Sequence, residues 1–139
     1  MKSIFVLLIV ILFSCVYLSP IQKARKYAKA SNLTEAHKWF QIAIEEEKDD
    51  LIKVFYIREK CSLYLREGEI ENLKDCAKLF YGLEKFSAII VPWLEQAAQF
   101  LAESVGVEDG RSFLEEFYNI DPDYMEGILD RYIKAHFKD

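Results

Sequence analysis

Residues 33–44 read LTEAHKWFQIAI, residues 70–81 read IENLKDCAKLFY and residues 107–118 read VEDGRSFLEEFY. Each stretch begins 37 residues after the one before it, and residue character recurs position by position. Leu33, Ile70 and Val107 open the three stretches with an aliphatic side chain. Further along come Trp39, Cys76 and Phe113; then Phe40, Ala77 and Leu114; then Ala43, Phe80 and Phe117; and last Ile44, Tyr81 and Tyr118. Spacings of one, three and one wrap an apolar stripe around more than one face of a helix, and a stripe that wide must be covered on two sides. A single helical hairpin cannot cover it, whereas hairpins stacked on one another can.

Working outward, the same shift aligns the helices that come before. Small residues recur at Ala24, Cys61 and Ala98, and large ones one turn later at Tyr27, Tyr64 and Leu101. No strand-like alternation of useful length interrupts this pattern. Helices are expected over 20–31, 35–48, 51–67, 71–86, 91–105, 109–119 and 122–137. Ser19-Pro20 and Asp121-Pro122 each supply an N-cap followed by a proline at the first helical position. The expected architecture is all-α, with about three helix-turn-helix repeats near 17–53, 54–90 and 91–124. A capping helix over 122–137 completes it, its apolar face formed by Tyr124, Ile128, Tyr132 and Ala135. Composition agrees: 139 residues, 52% hydrophobic and 14% aromatic, with only five Gly and three Pro, exclude a disordered or collagen-like chain.

These residues resemble the tetratricopeptide repeat family, whose pattern sets a small residue three before an aromatic on the first helix, then Ala, a large residue four later, and a closing Pro. The first repeat carries the resemblance in Ala24, Tyr27, Ala36, Phe40 and Ala43. The third carries it in Ala98, Leu101, Gly110, Leu114, Phe117 and the Asp121-Pro122 ending. In the second, Leu73, Ala77 and Phe80 exchange small and large. The period here is 37 instead of the family's 34; Pro20, Ile57 and Leu94 replace its early tryptophan, and Lys23 and Lys60 replace its leucine. The resemblance implies a right-handed superhelical stack over residues 19–139 whose first helices line a groove for an extended peptide or a partner helix. By position that groove presents Arg25 and Lys29, then Arg58, Ser62 and Arg66, then Glu95, Gln99 and Glu103. Arg58 and Arg66 lie two turns apart and suit a carboxylate held by paired hydrogen bonds; the alternative is that they are solvated charges.

Residues 1–18 form a separate segment. Lys2 is followed by an uncharged run, SIFVLLIVILFSCVYL over 3–18, the layout of a signal peptide or a short membrane anchor. Fifteen helical residues rise only ~22 Å, short of the ~20 residues that span a bilayer. Leu12-Phe13-Ser14-Cys15 resembles the bacterial lipobox, which implies cleavage before Cys15 and lipid on its sulfur. An uncleaved anchor, an ordinary cleaved signal and a buried helix are the other readings. Lys23, Arg25, Lys26 and Lys29 precede the first acidic residue, Glu35, and such a flank tends to stay cytoplasmic if the run is not cleaved. The expected address is therefore a membrane, in a bacterial cell envelope. Cys61 and Cys76 fall on apolar helix positions and are expected to be small core residues instead of a disulfide.

Net charge is −5, and it is uneven. Between residues 91 and 130 there are ten acidic residues against Arg111 alone. That disfavours nucleic acid and suits a basic protein surface, or simply keeps the array soluble. His37 and His136 are the only histidines. With no phosphate loop, paired-cysteine metal pattern or nucleophile elbow, no catalytic residue, cofactor or metal is expected. The expected function is a membrane-associated scaffold binding a protein or peptide partner, or else a self-assembling envelope component; oligomeric state stays open.

Overall fold

A computed structural model describes residues 17–137. Cys15 and the run before it lie outside the described residues. Within them the chain is all-helical, with no strand and with seven α-helices: α1 (Pro20–Lys29), α2 (Leu33–Glu46), α3 (Asp50–Glu67), α4 (Ile70–Ala77), α5 (Ser87–Ser104), α6 (Val107–Glu116) and α7 (Pro122–His136). Short 3₁₀ turns lie at Lys78–Phe80, Glu84–Phe86 and Tyr118–Ile120. The chain divides into two compact units, one ending at Glu46 and the other beginning at Glu47.

In the first unit α1 packs on α2 as a hairpin. Ser19 starts α1 with a capping box: its hydroxyl accepts from the Gln22 N–H at 3.3 Å, and its own N–H donates to Gln22 Oε1 at 2.9 Å. Two of the orphan donors at the helix start are thereby satisfied. Ala24, Ala36, Phe40, Ala43 and Ile44 form the buried seam.

The second unit builds its layers from two hairpins and a last helix. α3 packs on α4 and on α5, α5 packs on α6, and α7 closes on α6 and α5. Asp49 caps α3 by accepting from the N–H groups of Leu51 at 2.9 Å and Ile52 at 3.3 Å, and Asp121 caps α7 through the Tyr124 N–H at 3.2 Å. Trp93 ties α5 to α3 by donating from Nε1 to Ser62 Oγ at 3.1 Å. Its ring also joins Phe80 (5.7 Å between centroids) to Phe113 (6.4 Å), and Phe113 meets Phe117 at 5.0 Å. Each such buried ring stabilises the unit by a few kcal/mol through area alone.

The 37-residue period is structural as well as compositional. α2, α4 and α6 begin at Leu33, Ile70 and Val107. The turn that feeds each of them contains the same backbone bond: Asn32 N–H to the Tyr27 carbonyl, Glu69 to Tyr64, and Gly106 to Leu101, at 2.9, 3.1 and 2.9 Å. In the first two the residue before the donor is left-handed, Ser31 at φ 58° and Gly68 at φ 72°. In the third it is Val105, at φ −121°, because a β-branched side chain resists that region. Burial repeats too: Ala24, Cys61 and Ala98 are completely enclosed, as are Ala36 and Leu73.

Several expectations need correction. The helix expected over 71–86 stops at Ala77 and tightens into a 3₁₀ turn, after which Gly82 adopts φ 91°. Phe80 and Leu83 are both buried, and the chain reverses between them through extended Tyr81 and left-handed Gly82, with the Leu83 N–H on the Phe80 carbonyl at 3.0 Å. The same backbone pairing returns 37 residues later in a different conformation, where Ile120 at the end of a 3₁₀ turn bonds the Phe117 carbonyl at 3.2 Å. α5 starts at Ser87 instead of 91, with Pro92 inside it. The carbonyl of Ala88 thereby loses its helical donor, and both residues are exposed, so water can replace it. On α7 the inward face is Met125, Ile128 and Tyr132, whereas Tyr124 is 56% exposed and Ala135 is also outside. Finally, Cys61 and Cys76 are a disulfide, with Cα atoms 5.5 Å apart, joining α3 to α4. Both are also buried in the core, so the position is apolar as expected and the pairing is additional.

Candidate functional site

The residues expected to line a groove fall into three groups. Arg25 and Lys29 lie on exposed positions of α1, in the first unit. They share one side of that helix with Gln22 and Lys26, at the i, i+3, i+4, i+7 spacing of a single face. Lys23 points elsewhere, its ammonium 4.1 Å from the centre of the Trp39 ring.

Arg58, Ser62 and Arg66 lie along α3 in the second unit. The Arg58 guanidinium stacks on Phe55 at 4.9 Å, and Arg66 is exposed near the helix end. Ser62 between them is occupied internally. Its hydroxyl donates to the Arg58 carbonyl at 2.7 Å and accepts from Trp93, which makes it a link between α3 and α5. Lys60 is only 8% exposed. Its ammonium sits 4.9 Å from the Tyr64 ring centre, and burial lowers its pKa below that of an ordinary lysine. Burial likewise raises the Tyr64 phenol, reinforced by Glu69 and Glu67.

Glu95, Gln99 and Glu103 form a ladder on α5, with Gln99 Nε2 donating to Glu103 Oε1 at 3.0 Å. Helix α7 engages this ladder. Arg131 donates to Glu95 Oε2 at 2.8 Å, and His136 Nε2 lies 2.9 Å from Gln99 Oε1. With Ile128 and Tyr132 these four residues line a cleft of ≈ 160 Å³ between the helices. The capping helix therefore meets part of the face expected to receive a partner. Sequence reasoning missed Arg131 as a member of this surface; its i+5 relation to His136 gave no sign of it, because neither lies on the apolar stripe. His37 is half-buried, as are Lys74 and Arg111, which stand 37 and 74 residues further along the chain.

Among the described residues no group of three or more His, Cys, Asp and Glu is placed to hold a metal ion, and no helix is long and apolar enough to cross a membrane. No protein-family model matches this sequence, and no match is found among curated proteins or solved structures.

Proposed function

We propose that this chain is a membrane-tethered scaffold of a bacterial cell envelope, a tetratricopeptide-like superhelical stack that binds a partner protein or extended peptide along the first helices of its second unit, α3 and α5. The observation that carries the reading is the 37-residue recurrence of helix starts, connecting turns and buried positions. Repetition of that kind builds an extended surface instead of one enclosed pocket. α3 offers the partner its most suitable feature, the guanidinium groups of Arg58 and Arg66, which favour carboxylates. The Cys61–Cys76 disulfide supports an oxidising compartment, since cytosolic thiols are kept reduced, and the uncharged run over 3–18 supports the tether.

A photo-crosslinking residue placed at Arg66, in the full chain in its native membranes, tests this. One discrete crosslinked species is expected, lost when Arg58→Glu is added and absent from a probe at Lys78. Diffuse labelling that ignores Arg58→Glu would sink the proposal.

A second reading, self-assembly, draws on the exposed apolar side chains Phe100, Val105, Tyr124 and Ile133 and on the acidic stretch over 91–130. Light scattering separates the two, because a concentration-independent monomer leaves no role for self-contacts.

A further inference from the structure

Charge in this chain is polarised by position. Of 18 basic and 23 acidic residues, five basic ones and no acidic one come before Glu35. Three of those five, Arg25, Lys26 and Lys29, stand together on one exposed face of α1, where with Gln22 they line an open concavity of ≈ 320 Å³. The opposite side of α1 holds Ala24, fully enclosed in the packing against α2. Lys23 is withdrawn from the strip by its contact with Trp39. The hairpin thus spends one side of α1 on its core and presents a cationic strip on the other. The first basic residue of that strip, Arg25, stands seven positions after the uncharged run 3–18 ends.

We propose that this face of α1 is a docking surface for an anionic lipid bilayer, laying the helix along the headgroups beside the membrane-addressed run. The inference rests on the tether reading and adds to it a lipid preference. Basic side chains near an anionic leaflet each favour binding by about fivefold, and the attraction fades within a Debye length of ~10 Å at 0.1 M salt. The rival occupant is the acidic 91–130 stretch of a second copy. A bilayer is favoured because the apolar run and α1 are covalently continuous: a molecule held by the run presents α1 to the headgroups at high effective concentration, whereas a second copy must be met by diffusion.

The test is partitioning of the full chain into phosphatidylcholine vesicles with and without phosphatidylglycerol, at low and at 1 M salt (Debye length ~3 Å). For the wild type, anionic vesicles are expected to bind at least about tenfold more strongly than neutral ones at low salt, with the ratio collapsing at 1 M. Lys26→Glu with Lys29→Glu should bring the ratio to about one, and the Lys→Gln pair to an intermediate value; circular dichroism checks that both variants stay folded. A wild-type ratio near one, with strong binding to neutral vesicles, overturns the lipid preference and leaves the tether standing. Binding to neither vesicle overturns both. Salt-sensitive dimerisation without lipid, abolished by the same Glu pair, overturns the proposal by assigning the face to a second copy.

Discussion

Tyr132 reaches from α7 over α6 and places its hydroxyl 2.5 Å from the carbonyl of Val107, in the space a side chain at Gly110 would occupy. A Cβ at Gly110 would meet that hydroxyl, the Tyr132 ring at 2.9 Å and the Ala98 backbone carbonyl at 2.5 Å. The first and second repeats carry Ala36 and Leu73 at this position. The third carries glycine, where the Tyr132 phenol and the Ala98 carbonyl leave no room for a side chain. Burial keeps that phenol protonated, its pKa raised above the usual tyrosine value.

Gly110→Ala is therefore expected to destabilise the protein by roughly 2–4 kcal/mol, through overpacking against backbone that cannot yield. At Gly127 on α7 a Cβ would meet nothing within 4 Å, so Gly127→Ala should stabilise by about 0.5–1 kcal/mol from helix propensity alone. Urea unfolding of the two variants checks the opposite signs. Two changes of the same sign would contradict this packing.

The Cys61–Cys76 bond closes a loop of sequence separation 15 around the α3–α4 turn, and a loop of that size is worth about 3 kcal/mol. Reduction, or the Cys61→Ala/Cys76→Ala pair, should lower the unfolding free energy by about that amount, and thermal melts with and without dithiothreitol measure it. Alkylation of both cysteines in denatured, unreduced protein would show that they are not bonded.

Ser62→Ala should cost roughly 1–3 kcal/mol, because it leaves the buried indole N–H of Trp93 without its acceptor. In a double-mutant cycle with Trp93→Phe the penalty should shrink, since no unpaired donor then remains. Equal Ser62→Ala costs in both backgrounds would show that the bond carries no stability.

Lys60 supplies a pH dependence. Its pKa is lowered by burial relative to the 10.5 of an exposed lysine, so wherever the folded-state amine is protonated the folded state bears the desolvation cost. As pH rises through the lowered folded value toward 10.5, the unfolded chain holds more protons and stability increases. Lys60→Met keeps the apolar stem and removes the charge, so it should raise Tm at pH 7 by a few degrees. The advantage should narrow as the solution becomes alkaline enough to deprotonate the folded-state amine. An advantage that is independent of pH would rule out the charge as its cause.

Much of the fold was legible in the sequence. Ser19-Pro20 and Asp121-Pro122 marked helix starts because capping is a local matter of a few adjacent atoms. The positions of Ala24, Cys61 and Ala98 foretold burial because a repeat sums the same weak preference three times. The surface was less legible. Arg58 and Arg66 sit on α3 as read, but Ser62 is drawn inward by Trp93, and Glu95 and Gln99 are taken up by Arg131 and His136 from α7. These partners lie 31 to 37 residues away, beyond the reach of any spacing rule.

Sequence by itself determined the helical class, the 37-residue period, the caps at Ser19 and Asp121 and most of the core, since each depends on neighbours within one turn or on a pattern accumulated along the chain. Tertiary structure alone decided that Cys61 and Cys76 pair, that the second hairpin breaks at Ala77, that Gly110 yields its space to Tyr132, and that α7 turns Met125 inward in place of Tyr124. Each of these depends on the distance between segments far apart in sequence, and that distance exists only once the helices have packed.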